Sequence, residues 1–523
     1  MTPTSTVPVV ESPAEPIPTE SPADRLARIR TLVAEVFAGP VIPDLLELAM
    51  ATAISPRVVP HGPPVWLLFE GPPSRGKTAA VDLLKATAEG ADRLTVFAPK
   101  ITLGSLTSGF KDAKTSRRAP ALLKEFDSRC WCNTEFSTLL TGDSKSVAPI
   151  LGLLTAAFDG DLRAAFGNVT EQKESAILEL KSRFSLLGCI TPQVRQKHAH
   201  LLSQLGPRFL SYRLLSLTDA EEREAFRLIR EPLRPTQLKD LQQRVKAHML
   251  ATLREAVPVT VSDGMDTILQ VLAKLVAAGR TPVSFRDGVA IVGEAEDPLR
   301  VYQQLLALLI ALAHIHGTAT PSPRALRLVR DVALSSFEPQ RAEALTVQRT
   351  NPVVALSRFE QGESPQWLHG LTVSRLEEAT GWSNDTAARV LDELVALGLY
   401  SVDKNSAVVD TAPSGRRPTL YVPVPGLRCV VNATFEEHPP RLVSAIEMLW
   451  SPDDLAGRLS PADARLAEVL AEQRAARLRE LAELCQQIQK ERPELPPEEV
   501  SLLAIQRATG AKWSQNEELT IGA

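Results

Sequence analysis

Val65-Trp66-Leu67-Leu68-Phe69-Glu70-Gly71-Pro72-Pro73-Ser74-Arg75-Gly76-Lys77-Thr78 decides the fold class. Val65 to Phe69 is a continuous apolar run, the pattern of a strand buried on both faces of a parallel sheet. Residues 71–78 then match G-x-x-x-x-G-K-[ST] in full. Glycines at 71 and 76 let the backbone turn tightly, with Pro72, Pro73, Ser74 and Arg75 between them, so that backbone N–H groups face a phosphate. Lys77 is placed to reach the β and γ phosphates, and the Thr78 hydroxyl to ligate Mg²⁺. An amphipathic helix starting near Lys77 offers its positive end to the anion. The expected ligands are therefore ATP and Mg²⁺.

Outward from this loop, apolar runs at Arg93 to Phe97, Cys130 to Thr134 and Phe184 to Thr191 read as strands. Ala79 to Ala88 and Val147 to Phe158 read as helices, an alternation that predicts an α/β layer sandwich. Phosphate hydrolysis also needs a carboxylate at a neighbouring strand tip. Glu135 closes the run Cys130-Trp131-Cys132-Asn133-Thr134 and serves either as the metal-linked acid or as the base. With Asn133 and Thr134 beside it, only one acid is on offer where a pair is usual. Thr191, before Pro192, ends the third strand as either a γ-phosphate contact or a plain strand terminator. Arg208, on Leu205-Gly206-Pro207-Arg208-Phe209-Leu210, suits completion of a neighbouring subunit's site or a surface ion pair. Arg324 and Arg327, on the helix after Pro323, offer a second phosphate-sensing contact but read first as structural arginines.

Beyond Leu217 strand signals fade and amphipathic helices follow: Asp219 to Ile229, Lys239 to Glu255, Gly264 to Ala278, Val301 to Ile315 and Pro323 to Ser335. A separate unit comes next. Leu371 to Thr380 is a short helix, Gly381-Trp382 a turn, and Ser383 the N-cap of a helix over Asn384 to Leu397. Gly398 stops that helix, Leu399 to Val402 starts a strand, Lys404 to Pro418 makes a wing, and Thr419 to Val422 returns. Thr386 and Arg389 are then candidates for a DNA groove, and Arg416 and Arg417 for its phosphates. Asp385, Asp392 and Glu393 on the same helix equally suit a protein-docking role. The expected organisation is a disordered tail at 1–22, N-terminal helices at 23–59, a nucleotide-binding core at 60–217, a helical lid at 218–349, a winged helix at 350–425 and a charged helical region at 426–523.

Composition sets limits on this reading. The chain has 523 residues, 44% hydrophobic and 23% charged, with a formal net charge of −4. Two or three cores are expected, and any nucleic-acid contact has to come from a local basic surface. Five cysteines, of which only Cys130 and Cys132 lie close, predict buried thiols and not a zinc site or a disulfide framework. Nothing near Met1 reads as a secretory signal, and the most apolar run, Leu305 to Ile315, reads as a buried helix and not a span. A cytoplasmic setting is expected.

The phosphate loop, the acidic strand tip at Glu135, the run Phe158-Asp159-Gly160, Thr191-Pro192, Gly206-Pro207-Arg208-Phe209, the helical segment and the C-terminal winged-helix pattern occur in this order. Together they resemble P-loop ATPases of bacteriophages and mobile elements, similar in architecture to AAA+ replicative helicases of the minichromosome-maintenance type. The resemblance covers about residues 60–425. It implies a P-loop NTPase core with a helical lid, a winged helix and a helical tail, DNA as substrate, and a homo-oligomer such as a ring. The chain departs from that pattern at Glu135, where Asp usually precedes the aromatic residue. Two functions follow as expectations, an ATP-driven DNA motor serving replication of a mobile element, and an ATP-gated DNA-binding regulator with little turnover. A non-enzymatic scaffold docking a protein through its winged helix is a third.

Overall fold

The computed structural model describes residues 20–37, 41–107, 110–111, 118–119, 121–141, 144–160, 163–165, 177–179, 182–206, 208–214, 222–223, 225–227, 235–350, 353–356, 367–403, 407–408, 419–424, 427 and 486–492. Most of the expected tails at 1–22 and 426–523 lies outside these residues, as do Arg416 and Arg417.

Strands β1 (Trp66–Glu70), β2 (Thr95–Phe97), β3 (Cys130–Asn133), β4 (Ser185–Ile190) and β5 (Leu210–Arg213) form one sheet in the order β2-β3-β4-β1-β5. Every pairing in it is parallel. β4 is thus inserted between the strand that feeds the phosphate loop and the strand that ends near Glu135. Alternation sorts the side chains onto two faces. Leu67, Phe69, Cys130, Cys132, Leu187 and Cys189 enter one core, and Trp66, Leu68, Trp131, Leu186 and Ile190 the other. The second core is aromatic, with both indoles hydrogen-bonded inside it: Trp66 Nε1 donates to the Phe184 carbonyl at 3.1 Å and Trp131 Nε1 to Ala98 at 2.9 Å. The expected α/β core is present, a parallel sheet flanked by helices.

The first face is covered by α1 (Pro22–Val36), α2 (Val41–Val58) and α3 (Lys77–Asp82). The N-terminal helices therefore do not form a separate unit. From Asp44 to Pro56 every residue of α2 is buried, because the helix lies on the sheet with one side and against a later helix with the other. Pro43 is tolerated in its first turn, where the missing N–H has no intrahelical partner.

After α4 (Ser144–Asp159) and α5 (Pro192–Lys197), the helical region comprises α6 (Pro235–Arg254), α7 (Asp263–Arg280), α8 (Pro298–His316), α9 (Pro323–Ser335) and α10 (Pro339–Thr350). Among the described residues α8 alone is long and apolar enough to cross a membrane. It packs between α2, α7 and α9, where Leu305, Leu308, Leu309 and Leu312 are fully buried, as the sequence predicts for this run. The expectation that strands end near Leu217 needs correcting. β6 (Val283–Arg286) and β7 (Val289–Val292) form an antiparallel hairpin inside the helical region. Its turn, Asp287-Gly288, has positive φ at both residues (52° and 78°), the signature of an Asp-Gly hairpin that the sequence displays.

In the last unit β8 (Val353–Leu356) pairs with β9 (Trp367–Gly370), and α11 (Val373–Thr380) and α12 (Asn384–Ala396) follow. β10 (Tyr400–Asp403) pairs antiparallel with β12 (Leu420–Pro423), and β11 (Ala407–Val408) joins β8. Thr372 and Ser383 cap the two helices, and Gly381 and Gly398 take positive φ behind them (71° and 68°).

Candidate functional site

The phosphate loop leaves β1 at the carboxyl edge of the sheet and enters α3. The Gly71 amide donates to the Ile190 carbonyl at 3.3 Å, fastening the loop's entry to the tip of β4. Ser74 and Gly76 both take positive φ (61° and 78°), which turns the backbone back toward α3. A Cβ on Gly76 would lie 2.0 Å from Ile42 Cδ1 on left-handed backbone, so the start of α2 lies against the loop and Ile42 would have to shift for any larger residue. Pro73 and Ser74 are exposed, and Pro72 and Arg75 half-buried.

Lys77 is buried and curls back over the loop, its Nζ donating to the carbonyls of Gly71 at 2.7 Å and Pro72 at 2.5 Å. Burial pushes its ammonium below the usual lysine range, with Arg75 adding to the shift and the Cys189 thiol and Glu135 opposing it. The Gly71 and Phe136 amides both donate to the tip of β4, at the Ile190 and Cys189 carbonyls, so the lysine's loop and the Glu135 turn flank the same strand end. Burial in turn raises the Cys189 thiol to about 12, Lys77 opposing and Glu135 adding. Cys130 and Cys132 are buried free thiols, as expected, and Cys189 is another.

Glu135 is exposed in the turn that ends β3. Its amide donates to Asn133 Oδ1 at 3.0 Å, and the next amide, of Phe136, donates to the Cys189 carbonyl at 3.1 Å, so the turn is stapled to β4. Asn133 is fully buried and its Nδ2 has no hydrogen-bond partner. Thr191 follows the last residue of β4 as the N-cap of α5, but its side chain makes no cap bond. Lys77, Thr78, Glu135 and Thr191 thus share one edge. Thr78 is exposed one residue past the lysine. Thr78 and Glu135 offer hard oxygen donors that suit Mg²⁺, an ion that keeps phosphate and water among its ligands. No cluster of three acidic, histidine or cysteine side chains exists among the described residues, so phosphates would have to complete the coordination.

Arg208 is elsewhere. Leu210 pairs with Leu67, so Arg208 stands level with the start of β1, about 20 Å along the strands from Gly71 at ~3.3 Å per residue. It ion-pairs with Asp159 at 2.5 Å, lies over the Phe158 ring and donates to the Leu205 carbonyl at 2.8 Å. It therefore does not reach the loop of its own chain. Arg324 and Arg327 pair with Asp44 at 2.5 and 3.0 Å, in keeping with a structural role.

Of the groove candidates, Thr386 is tied into the start of α12, its hydroxyl 2.9 Å from Ser383 Oγ. Arg389 ion-pairs with Glu393 and donates to Gln340 Oε1 on α10 at 2.5 Å. Both side chains are engaged within the chain.

Sequence reasoning passed over Glu70. This last residue of β1 is wholly buried, yet carries a carboxylate gripped by Arg195 of α5 and, at 3.0 Å, by Arg213 of β5. A carboxylate ending an apolar strand directly before Gly71 was the available signal, since a buried acid requires paired cations.

No protein-family model matches the chain, and no curated protein is similar to it in sequence. Among solved structures it is similar to a protein of Cytophaga hutchinsonii described as a "putative ATPase". That protein is 15% identical, the match covering 60% of this chain and 87% of that one, with a TM-score of 0.37. A likeness this slight carries no argument, and the functional reading rests on the loop and its surroundings.

Proposed function

We propose that this chain is a P-loop ATPase that acts on DNA as a motor or remodeller. The observation that carries the nucleotide part is the shared edge: a loop of phosphate-binding sequence, its lysine, Thr78, Glu135 and Thr191 meet where parallel strands end. On this reading Lys77 leaves the Gly71 and Pro72 carbonyls for the β and γ phosphates. Thr191 orients the attacking water, and Glu135 accepts its proton. Mg²⁺ would be held by Thr78 and the phosphates and would supply charge neutralisation; with Glu135 as its water-linked acid instead, no second carboxylate remains to take the proton. Residues 218–349 act as a helical lid and residues 350–425 as a winged helix, with Arg416 and Arg417 reaching DNA phosphates. Arg208 acts across an interface in a homo-oligomer, a role that its distance from its own loop supports. The resemblance to phage and mobile-element ATPases supplies the DNA substrate.

DNA-stimulated ATP hydrolysis that disappears in Lys77→Ala is the expected result. Hydrolysis indifferent both to DNA and to that substitution would overturn the reading.

A second reading is an ATP-gated DNA-binding regulator with little turnover. Asn133 and Thr134, standing where a second acid is usual, favour it. Anisotropy of labelled duplex with a non-hydrolysable ATP analogue separates the two. Affinity set by occupancy in the absence of hydrolysis favours the regulator.

A further inference from the structure

The entry of the phosphate loop is tied to a helix by ion pairs, and its exit reaches the same helix through an apolar contact followed by a chain of ion pairs. At the entry, Glu70 precedes Gly71 and shares Arg213 with Glu343 of α10: Nη2 lies 3.0 Å from Glu70 Oε1 and Nη1 lies 3.3 Å from Glu343 Oε2. At the exit, Ile42 of α2 packs against Gly76, and one helical half-turn on Asp44 binds Arg327 at 3.0 Å. Arg327 binds Asp331 of α9 at 3.3 Å, and Asp331 binds Arg349 of α10 at 2.8 Å. From its other side α10 holds the last unit, through Arg341 with Glu393 at 2.9 Å and Gln340 with Arg389.

We propose that α10 is a lever that transmits nucleotide occupancy of the loop to the seating of α11 and α12. The inference rests on the reading of residues 71–78 as a nucleotide site and goes beyond it. Arg213 supplies the two-sided contact such a device needs. It divides between a wholly buried acid at the loop and Glu343, which is 41% exposed and held at a longer distance. A shift of Glu70 when the loop closes on phosphate changes the share left for Glu343. A small pocket lined by Tyr212, Arg213, Asp331, Leu345 and Arg349 lies where α10 meets β5 and α9, beside the ion pairs that join them. The far side is rigid by contrast. Arg341 is buried, pairs with Glu393 and donates to the carbonyls of Gly279 at 3.1 Å and Thr281 at 2.7 Å, so this point of α10 is pinned to the end of α7 and to α12 together, and a displacement at Glu343 reaches α12 as a tilt of α10 about it.

Hydrogen exchange of the full chain, with and without saturating ATP and Mg²⁺, tests this, with calorimetry run in parallel. In the parent protein, exchange of the Asn384–Ala396 amides changes about five-fold or more on nucleotide addition, the lower end of ordinary coupling. In Glu343→Gln that response falls to less than about two-fold, while ATP affinity and nucleotide-free exchange stay as in the parent. An unresponsive α12 in the parent, or an equal response in Glu343→Gln, overturns the lever. So does a variant whose exchange is already faster without nucleotide, since that reports a packing role. Absence of any nucleotide uptake by calorimetry instead overturns the phosphate-site reading itself.

Discussion

The carboxyl edge of the sheet and the last helix pair both carry the residue types their proposed tasks require, but they use them differently. At the edge, the polar groups are held by the backbone. Lys77 rests on two carbonyls, the Glu135 turn is stapled by amides, and Thr191 makes no cap bond. These contacts can be given up to a ligand without leaving a buried charge alone. In α12, Glu393 is buried and shared by Arg341 and Arg389, so the charged groups hold the fold together. The same side-chain chemistry is available for binding in one region and committed to packing in the other.

Removing a committed charge gives the largest effect. Glu393→Ala leaves the buried Arg341 guanidinium without its acid and is expected to cost about 3–5 kcal/mol of stability. Urea denaturation measures it, and a loss under about 1 kcal/mol would show that this pair behaves like a surface one and break the contrast.

Lys77→Ala acts on the other region and in the opposite way. Its partners within the chain are carbonyls, so stability stays near that of the parent. Loss of its charge-assisted bonds to phosphate is expected to weaken ATP binding by about 3 kcal/mol, ~100-fold or more. Isothermal calorimetry reads the affinity directly, and unchanged binding would remove the lysine from the site.

Gly76→Ala should cost less, about 2 kcal/mol, because it forces a side chain into left-handed backbone and against Ile42. The companion Gly76→Ala/Ile42→Ala removes the contact but not the backbone strain. Partial recovery of the melting temperature in the double variant is the expected outcome; no recovery would show that Ile42 does not constrain the loop.

Legibility in the sequence follows the same division. The loop, the strands at 66–70, 130–133 and 185–190, and the helices at 373–380 and 384–396 were readable because each is set by local pattern: an apolar run, a cap, a glycine stop. β5 was missed because Leu210–Arg213 is short and its polar side chains are satisfied by partners outside its local pattern, the Ser211 hydroxyl by Arg195 and Arg213 by Glu70 and Glu343. The β6–β7 hairpin was missed although Asp287-Gly288 announces it, since its exposed Phe285, Val289 and Ile291 give no buried-strand pattern. Glu70 with its arginines, and Arg389 with Glu393 and Gln340, were not legible. Partners lying 125 and 143 residues from Glu70 leave no trace in local spacing. The candidate site was thus readable wherever one loop defines it, and opaque wherever several elements meet.

Arg389 gives the smallest effect and the finest test of the contrast. Its side chain is 43% exposed, and it only supplements Arg341 at Glu393, so Arg389→Ala is expected to cost about 1 kcal/mol or less in stability. Were α12 to lay this arginine on a DNA phosphate, the slope of log affinity against log salt would become shallower by about one in the variant. The arginine's bonds to Glu393 and Gln340 argue for no change of slope, because breaking them to reach a phosphate forfeits contacts of comparable strength. Fluorescence anisotropy on labelled duplex over a range of salt measures the slope in both proteins. An unchanged slope assigns DNA contact to other basic residues, with Arg416 and Arg417 the next to substitute. A shallower one means that α12 releases its arginine on binding and that committed charges in this unit are exchangeable after all.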